Sequence, residues 1–268
     1  MLPEQRSSVL VEILQECQIG HLADLAHRLG VSVNTVRRDL KQLEEQGLVR
    51  RIRGGAFYAK QADVEAPLDV RWREHTQEKK LIAIAAAGLI EPGEIALLDT
   101  GSANLYLARE LRGKKRLTVV TCSLPVMWEL RDDFQINLVG LGGELYRQEK
   151  YFHGPQVDQE LAQLRADKLF LGIVSIEAEH GLSELHLAEI PLKRAMMQAA
   201  HECIVLADGS KVGHSSFFHL CAVSDVDLLI TDASADPAEI AKLERAGLKV
   251  LIANGEAPGT TEVALPAA

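Results

Sequence analysis

Five short stretches place carboxylates, hydroxyls and glycines directly behind apolar runs of strand length. They are Asp99-Thr100-Gly101-Ser102, Thr121-Cys122-Ser123, Gly140-Leu141-Gly142-Gly143, Gly172 with Ser175, and Asp208-Gly209-Ser210-Lys211. Small residues let backbone approach a ligand closely. Hydroxyls and helix N-termini bind phosphate oxygens, and Lys211 adds a positive charge. Asp99 and Asp208 can accept hydrogen bonds from sugar hydroxyls. One such stretch carries little meaning, since Gly and Ser end strands everywhere. Five at successive strand ends predict a site for a phosphorylated sugar or polyol.

A second kind of chemistry is written in Ser32-Val33-Asn34-Thr35-Val36-Arg37-Arg38-Asp39-Leu40. Ser32 is suited to cap a helix, its hydroxyl accepting from the first-turn N–H groups. Val36, Leu40 and Leu43 repeat at i, i+4, i+7 and form an apolar stripe. The other face carries Asn34, Thr35, Arg37, Arg38 and Lys41, the groups that base edges and phosphates call for. Asp39 is repelled by DNA and is assigned to orienting an arginine or capping a helix.

Other chemistries are missing from the pattern. There is no GxxxxGK[ST] and no GxGxxG behind a strand, so no nucleotide cofactor is expected. The nine histidines include no HExxH, and His180, His186, His214 and His219 lack ligand spacing, so no metal is expected. Gly101-Ser102 does not sit in a GxSxG elbow. Cys17, Cys122, Cys203 and Cys221 form no CxxC pair and read as free thiols of a reducing cytoplasm.

The elements that must position these groups fall into two blocks. Residues 6–16 and 21–29 read as short amphipathic helices, the first stopped by Gly20, and Gly30 forms the turn before the Ser32 helix. Residues 48–57 read as two strands around Gly54-Gly55, with Arg51 and Arg53 near a tip that can reach a phosphate backbone or minor groove. Helix, helix-turn-helix and basic hairpin make a winged helix over residues 1–58. Residues 59–76 read as a connector in which a helix begins at Asp69 and continues through 81–89, with Trp72 a packing residue. Over 77–255, strands alternate with helices, which indicates a mostly parallel sheet covered on both faces. Ligands of such sheets bind beyond the carboxyl ends of the strands. Residues 256–268 read as a tail.

Charge follows the same division. The net charge is −9 over 268 residues, yet residues 1–60 hold nine Lys/Arg against seven Asp/Glu, leaving −11 for the rest. A small basic module on an acidic body fits local nucleic-acid binding rather than coating. The longest apolar run, residues 81–90, is too short to cross a bilayer, and no signal peptide is read at the start.

Arg6, Leu10, Leu14, Ser32, Thr35, Val36, Arg37, Arg38, Asp39 and Leu40, with the Gly54-Gly55-Ala56 turn, resemble the signature of the DeoR family of bacterial transcription regulators. The resemblance implies operator binding through residues 20–39 and a C-terminal domain similar in fold to ribose-5-phosphate isomerase. It implies an effector site built from Asp99, Gly101, Ser102, Thr121, Cys122, Gly142, Gly143, Asp208, Ser210 and Lys211, beside Gly172 of the strand-end reading. To these the family's Glu-x-x-x-Lys pair adds Glu189 and Lys193. Three positions depart from the family pattern: Ala103 for threonine, Cys122 for asparagine and Ser175 for glycine. The expected protein is a repressor of carbohydrate-metabolism genes, a homodimer or homotetramer, released from double-stranded DNA by a sugar phosphate. The alternative is a sugar-phosphate isomerase, with Glu189 and Asp99 as acid–base groups and Lys193 or Lys211 stabilising charge.

Overall fold

The computed structural model describes residues 3–17, 19–45, 48–52, 54–58 and 68–254. The connector residues 59–67, Arg53 and the tail at 256–268 lie outside them. The chain divides into two compact units between Arg71 and Trp72.

The first unit runs α1 (Pro3–Cys17), β1 (Ile19–His21), α2 (Leu22–Leu29), α3 (Val33–Glu45), β2 (Val49–Ile52), β3 (Gly55–Tyr58) and α4 (Leu68–Arg71). Leu10 and Leu14 from α1, Leu25 and Leu29 from α2, and Val36, Leu40 and Leu43 from α3 share one buried core. Their three- and four-residue spacing is what turns the three helices inward. Gly30 closes α2 at φ +63°, and Val31 N–H donates to Ala26 O at 3.0 Å. That is the left-handed stop that glycine permits. β1 was not anticipated. It pairs antiparallel with β3 and makes a three-stranded sheet ordered β1-β3-β2. Gly20 therefore does more than end a helix: a Cβ there would lie 2.7 Å from Leu25 and 2.8 Å from Leu14.

The second unit opens with α5 (Thr76–Gly88) and alternates β4 (Ile95–Leu98), α6 (Ser102–Leu111), β5 (Leu117–Thr121), α7 (Leu124–Leu130) and β6 (Ile136–Gly140). A hairpin, β7 (Glu144–Tyr146) and β8 (Tyr151–His153), precedes α8 (Pro155–Gln163) and β9 (Ala166–Gly172). Then come β10 (Ser175–Glu177), β11 (Gly181–Glu184), α9 (Glu189–Gln198), β12 (Ala200–Leu206), β13 (Phe218–Cys221), β14 (Leu228–Asp232), α10 (Pro237–Arg245) and β15 (Lys249–Ala253). Seven strands form one sheet in the order β15-β14-β12-β9-β4-β5-β6, every pairing parallel. Residues 95–98, 169–171 and 203–206 of its central strands are apolar because both faces are covered there. Leu97, Leu169, Leu171 and Val205 enter one core cluster, while Ala96, Leu98, Phe170 and Ile204 enter the other. Each fully buried aliphatic side chain of this kind contributes about 1.5–3 kcal/mol.

Two features depart from the sequence reading. The helix expected to run from residue 69 through 89 is broken. His75 stands at φ +50° immediately before α5, a left-handed conformation that cannot continue a right-handed helix. The small sheet β10-β11-β13 and the β7–β8 hairpin are also additional; their strands are three or four residues long, too short to show a period. Among the described residues, no helix is long and apolar enough to cross a membrane.

Strand order reverses between β4 and β9. Such a reversal splays the following connections to opposite faces and opens a crevice at the carboxyl ends. Asp99 follows β4, and Gly172 ends β9.

Candidate functional site

In the first unit, Ser32 Oγ accepts from Thr35 N–H at 3.1 Å and lies 2.9 Å from Thr35 Oγ1. The cap thus pins the first turn of α3. Val36, Asp39, Leu40 and Leu43 are buried, while Ser32, Asn34, Arg37, Arg38 and Lys41 are exposed and Thr35 is half-buried. Arg37 Nη1 donates to Asn34 Oδ1 at 3.1 Å, which holds two of these polar groups together. Lys41 lies 4.0 Å from Glu45, a weak surface pair. Asp39 takes a two-pronged bond from Arg6, Nε at 2.5 Å and Nη2 at 3.0 Å, and so ties α3 to α1. Arg51 is held by Glu44: its N–H donates to Oε1 at 2.8 Å and its Nε to Oε2 at 2.6 Å. A phosphate drawing on Arg51 competes with that carboxylate.

In the second unit, Asp99 is fully buried where the strand order reverses. Its Oδ2 accepts from Gly172 N–H at 3.0 Å and from Lys193 Nζ at 3.1 Å. Lys193 Nζ also donates to Gly172 O at 2.6 Å, lies 3.0 Å from Glu184 Oε1 and 4.0 Å from Glu189 Oε2. Burial works against the Lys193 charge, but Asp99, Glu184 and Glu189 outweigh it and hold the ammonium well above its ordinary pKa. Three carboxylates therefore surround one cation. Glu189 and Lys193 face the site because they stand one turn apart on α9.

Among the described residues, two acceptors in this centre have no protein donor. Asp99 Oδ1 and Asn104 Oδ1 are both buried without a hydrogen bond. Asn104 Nδ2 donates to Thr100 O at 3.4 Å, and a Cβ on Gly172 would lie 3.7 Å from it. An unsatisfied buried acceptor costs about 1–3 kcal/mol. Such groups call for donors from elsewhere.

Cys122 is fully buried, and burial together with the Asp99 charge pushes its thiol pKa up, so it stays protonated. It offers a soft, weakly polar wall. Thr121 Oγ1 accepts from Ser123 N–H at 3.0 Å and serves the backbone turn. Ser175 and Ser183 hydroxyls lie 3.0 Å apart, so Ser175 is satisfied within the small sheet. Tyr151 is buried, and burial followed by Glu189 pushes its pKa up.

Gly101 stands at the N-cap of α6 at φ +97°, just before the buried Ser102. In the loop after β12, Asp208 accepts from the Ser210 hydroxyl and from Ser210 N–H at 3.3 Å, while Lys211 Nζ donates to Ile173 O next to Gly172. Burial works to raise the Asp208 pKa, but Lys211, Ser210, Lys79 and His75 bring it below its ordinary range.

Gly142 and Gly143 connect β6 to β7 and differ in their surroundings. A Cβ at 143 would meet His153 O at 2.4 Å, whereas one at 142 would meet only Gln156 Nε2 at 3.9 Å. Gly143→Ala is expected to lower stability by about 1–3 kcal/mol through that backbone clash. Gly142→Ala leaves it unchanged. Urea unfolding of both variants checks the contrast.

The structure thus gathers Asp99, Gly172, Glu189 and Lys193 into one centre, with Cys122 electrostatically coupled to it and Lys211 bonded to its edge. Gly142 and Gly143 make no hydrogen bond to that centre among the described contacts. Glu184, Asn104 and Tyr151 were missed. Asn104 alone left a signal, a polar residue inside the apolar run of α6; Glu184 sits in a short strand with no motif. An open groove of about 630 Å³ lies elsewhere, lined by Ala178, His180, Ser216, Phe217, His219 and Val223 among others.

Comparison with known proteins supports both halves. Residues 6–62 match the DeoR-like helix-turn-helix domain, and residues 74–233 match the DeoR C terminal sensor domain. The HTH-type transcriptional regulator GolR of Listeria innocua is 31% identical over 94% of this chain and 100% of its own. The HTH-type transcriptional repressor GlcR of Bacillus subtilis is 32% identical over 94% of this chain and 97% of its own. The transcriptional repressor AccR of Agrobacterium fabrum is 32% identical over 94% and 98%. Among solved structures, ribose-5-phosphate isomerase A of Methanocaldococcus jannaschii aligns at TM-score 0.38 and 21% identity, over 52% of this chain and 55% of that one.

Proposed function

Because the chain belongs to the DeoR family of helix-turn-helix transcriptional regulators, we propose that it is a repressor of carbohydrate-metabolism genes, released from its operator by a phosphorylated sugar or polyol. It is a regulator, not an enzyme. On this reading α3 enters the major groove, with Asn34, Thr35, Arg37 and Arg38 toward bases and phosphates. Ser32 and Lys41 lie beside them, and the hairpin arginines Arg51 and Arg53 lie toward the backbone. Two copies at least are needed to read symmetric half-sites, so it acts as a homodimer or homotetramer in the cytoplasm.

The observation that carries the effector reading is the pair of buried acceptors, Asp99 Oδ1 and Asn104 Oδ1, without protein donors. Sugar or polyol hydroxyls are donors of the right kind. The α6 N-terminus at Gly101 and Ser102, together with Lys211, supplies positive potential for a phosphate. Ala103 and the protonated Cys122 thiol remove two hydrogen-bonding groups from the family pattern, so the preferred effector leans on the Asp99 side of the crevice. Glycines 142, 143 and 172, with Thr121, Asp208 and Ser210, complete the wall.

The test is thermal melting of the full chain against a panel of phosphorylated sugars and polyols. At a hundred times its Kd a binder adds about 2.7 kcal/mol. For a unit of this size that is a rise of roughly 5–10 °C. Asp99→Asn is expected to abolish the rise. A rise of equal size in that variant, or none with any compound, sinks the assignment.

A further inference from the structure

We propose that residues 72–79 form a strap that couples the effector site to the DNA-binding unit; this rests on the effector reading above. The strap starts at Trp72, where the second unit begins, and ends in the first turn of α5. Two separate parts of the crevice hold it.

The first hold is on α6. Tyr106 Oη donates to Trp72 O at 2.9 Å. Tyr106 lies two residues after Asn104, on the helix that starts at Gly101 and Ser102. The second is the β7–β8 turn. Lys150 Nζ stands 4.7 Å from the centre of the Trp72 ring, a cation–π contact. That turn is laced to the segment carrying Cys122: Leu124 N–H donates to Lys150 O, and Phe152 N–H donates to Cys122 O, both at 2.9 Å. Within the strap, Lys79, buried, donates from Nζ to Glu74 O at 2.7 Å and fixes its turn into α5.

The backbone of this region is held in an uncommon form. Among the described residues only His75, Arg116 and Lys150 are non-glycine with positive φ, at +50°, +58° and +56°. Two of these three are a strap residue and the residue that stacks on the strap. Local strain of this kind persists where the surroundings over-determine it.

The physical link is the closure of the crevice. Asp99 Oδ1 and Asn104 Oδ1 are out of reach of solvent, so a ligand that bonds to them must first displace the 99–101 loop and the first turn of α6. Tyr106 sits within two turns of that loop. The same ligand touching Cys122 reaches the second hold. A change at either of them is passed to Trp72, and from there along the chain into the connector.

Trp72 is its own reporter. The chain has two tryptophans, and Trp128, two-thirds exposed on α7, is removable as Trp128→Phe. In that full-length variant, each stabilising sugar phosphate is expected to change Trp72 emission or acrylamide quenching by about twofold, with the half-saturation seen in melting. A compound that stabilises the protein and leaves both signals unchanged overturns the strap while keeping the effector site. If no compound stabilises, both fall together. Tyr106→Phe supplies the second readout, using operator DNA selected from a random pool. The variant is expected to bind the stabilising sugar phosphate within about twofold of the parent while its ligand-induced loss of DNA affinity shrinks roughly tenfold, within the usual range of allosteric coupling. Parent-like DNA release by Tyr106→Phe contradicts the proposal.

Discussion

Replacing Arg37 and Arg38 together by alanine is expected to lower operator affinity by at least about a hundredfold while leaving the sugar-phosphate melting shift intact. Both guanidiniums are exposed on α3, opposite the buried Val36, Leu40 and Leu43. Neither carries core packing, so their loss spares the fold. Each base or phosphate contact of this type is worth about 1–3 kcal/mol, and two together give the stated loss. Arg37 also fixes Asn34 through the 3.1 Å bond, so its removal frees a second polar group. The salt dependence of binding separates phosphate from base contacts, since each lost phosphate contact reduces the slope of log K against log salt by about one. Asp39→Ala is a contrasting case. It breaks the two bonds to Arg6 and acts through stability. Undiminished operator binding by the double variant would place the DNA interface elsewhere.

Lys193→Ala is expected to have the largest effect on stability. The ammonium is buried within 3.0–4.0 Å of Glu184, Asp99 and Glu189. Deleting one partner of a buried ion pair costs about 3–5 kcal/mol, because the other charge is left without compensation. For a unit of roughly two hundred residues that lowers the melting temperature by roughly 6–20 °C. The pH dependence carries the diagnosis. In the parent, the raised Lys193 pKa gives a contribution fully present below the unfolded value of 10.5 and lost only as pH rises through the higher folded value. Neutral and acidic melts of the parent are therefore insensitive to it. The gap between variant and parent is expected to hold from pH 5 to pH 8 and to narrow only as the pH climbs past 10.5. A gap that stays constant at alkaline pH would assign the loss to packing instead.

Much of this could be read from residue order, for identifiable reasons. The recognition helix announced itself because Ser32, Val36, Leu40 and Leu43 obey one helical period and the remaining side chains are of one chemistry. The seven-stranded sheet was legible because parallel strands buried on both faces are apolar without interruption, as in residues 95–98 and 169–171. The strand-end loops were visible as Gly, Ser and Asp clusters. What stayed hidden was set by contacts between distant residues. Asp99 and Lys193 are 94 positions apart, and only the resemblance joined them. Glu184 belongs to a four-residue strand whose neighbours carry no pattern, so nothing marked it as the third carboxylate. The strand at residues 19–21 exists because β3 offers it an edge and Gly20 lets Leu14 and Leu25 approach. The break at His75 runs against local propensity, since a helical reading through Trp72 and into α5 violates no rule.

The central claim is that a sugar or polyol phosphate bound at Asp99 weakens operator binding by α3. Fluorescence anisotropy of a selected operator fragment, titrated with full-length protein at fixed salt, measures this directly. A compound that raises the melting temperature is expected to weaken operator affinity by roughly tenfold or more, within the ordinary span of allosteric coupling. Asp99→Asn is expected to hold the same DNA and fail to let go. An operator affinity unchanged by a compound that demonstrably binds the parent protein would contradict the account.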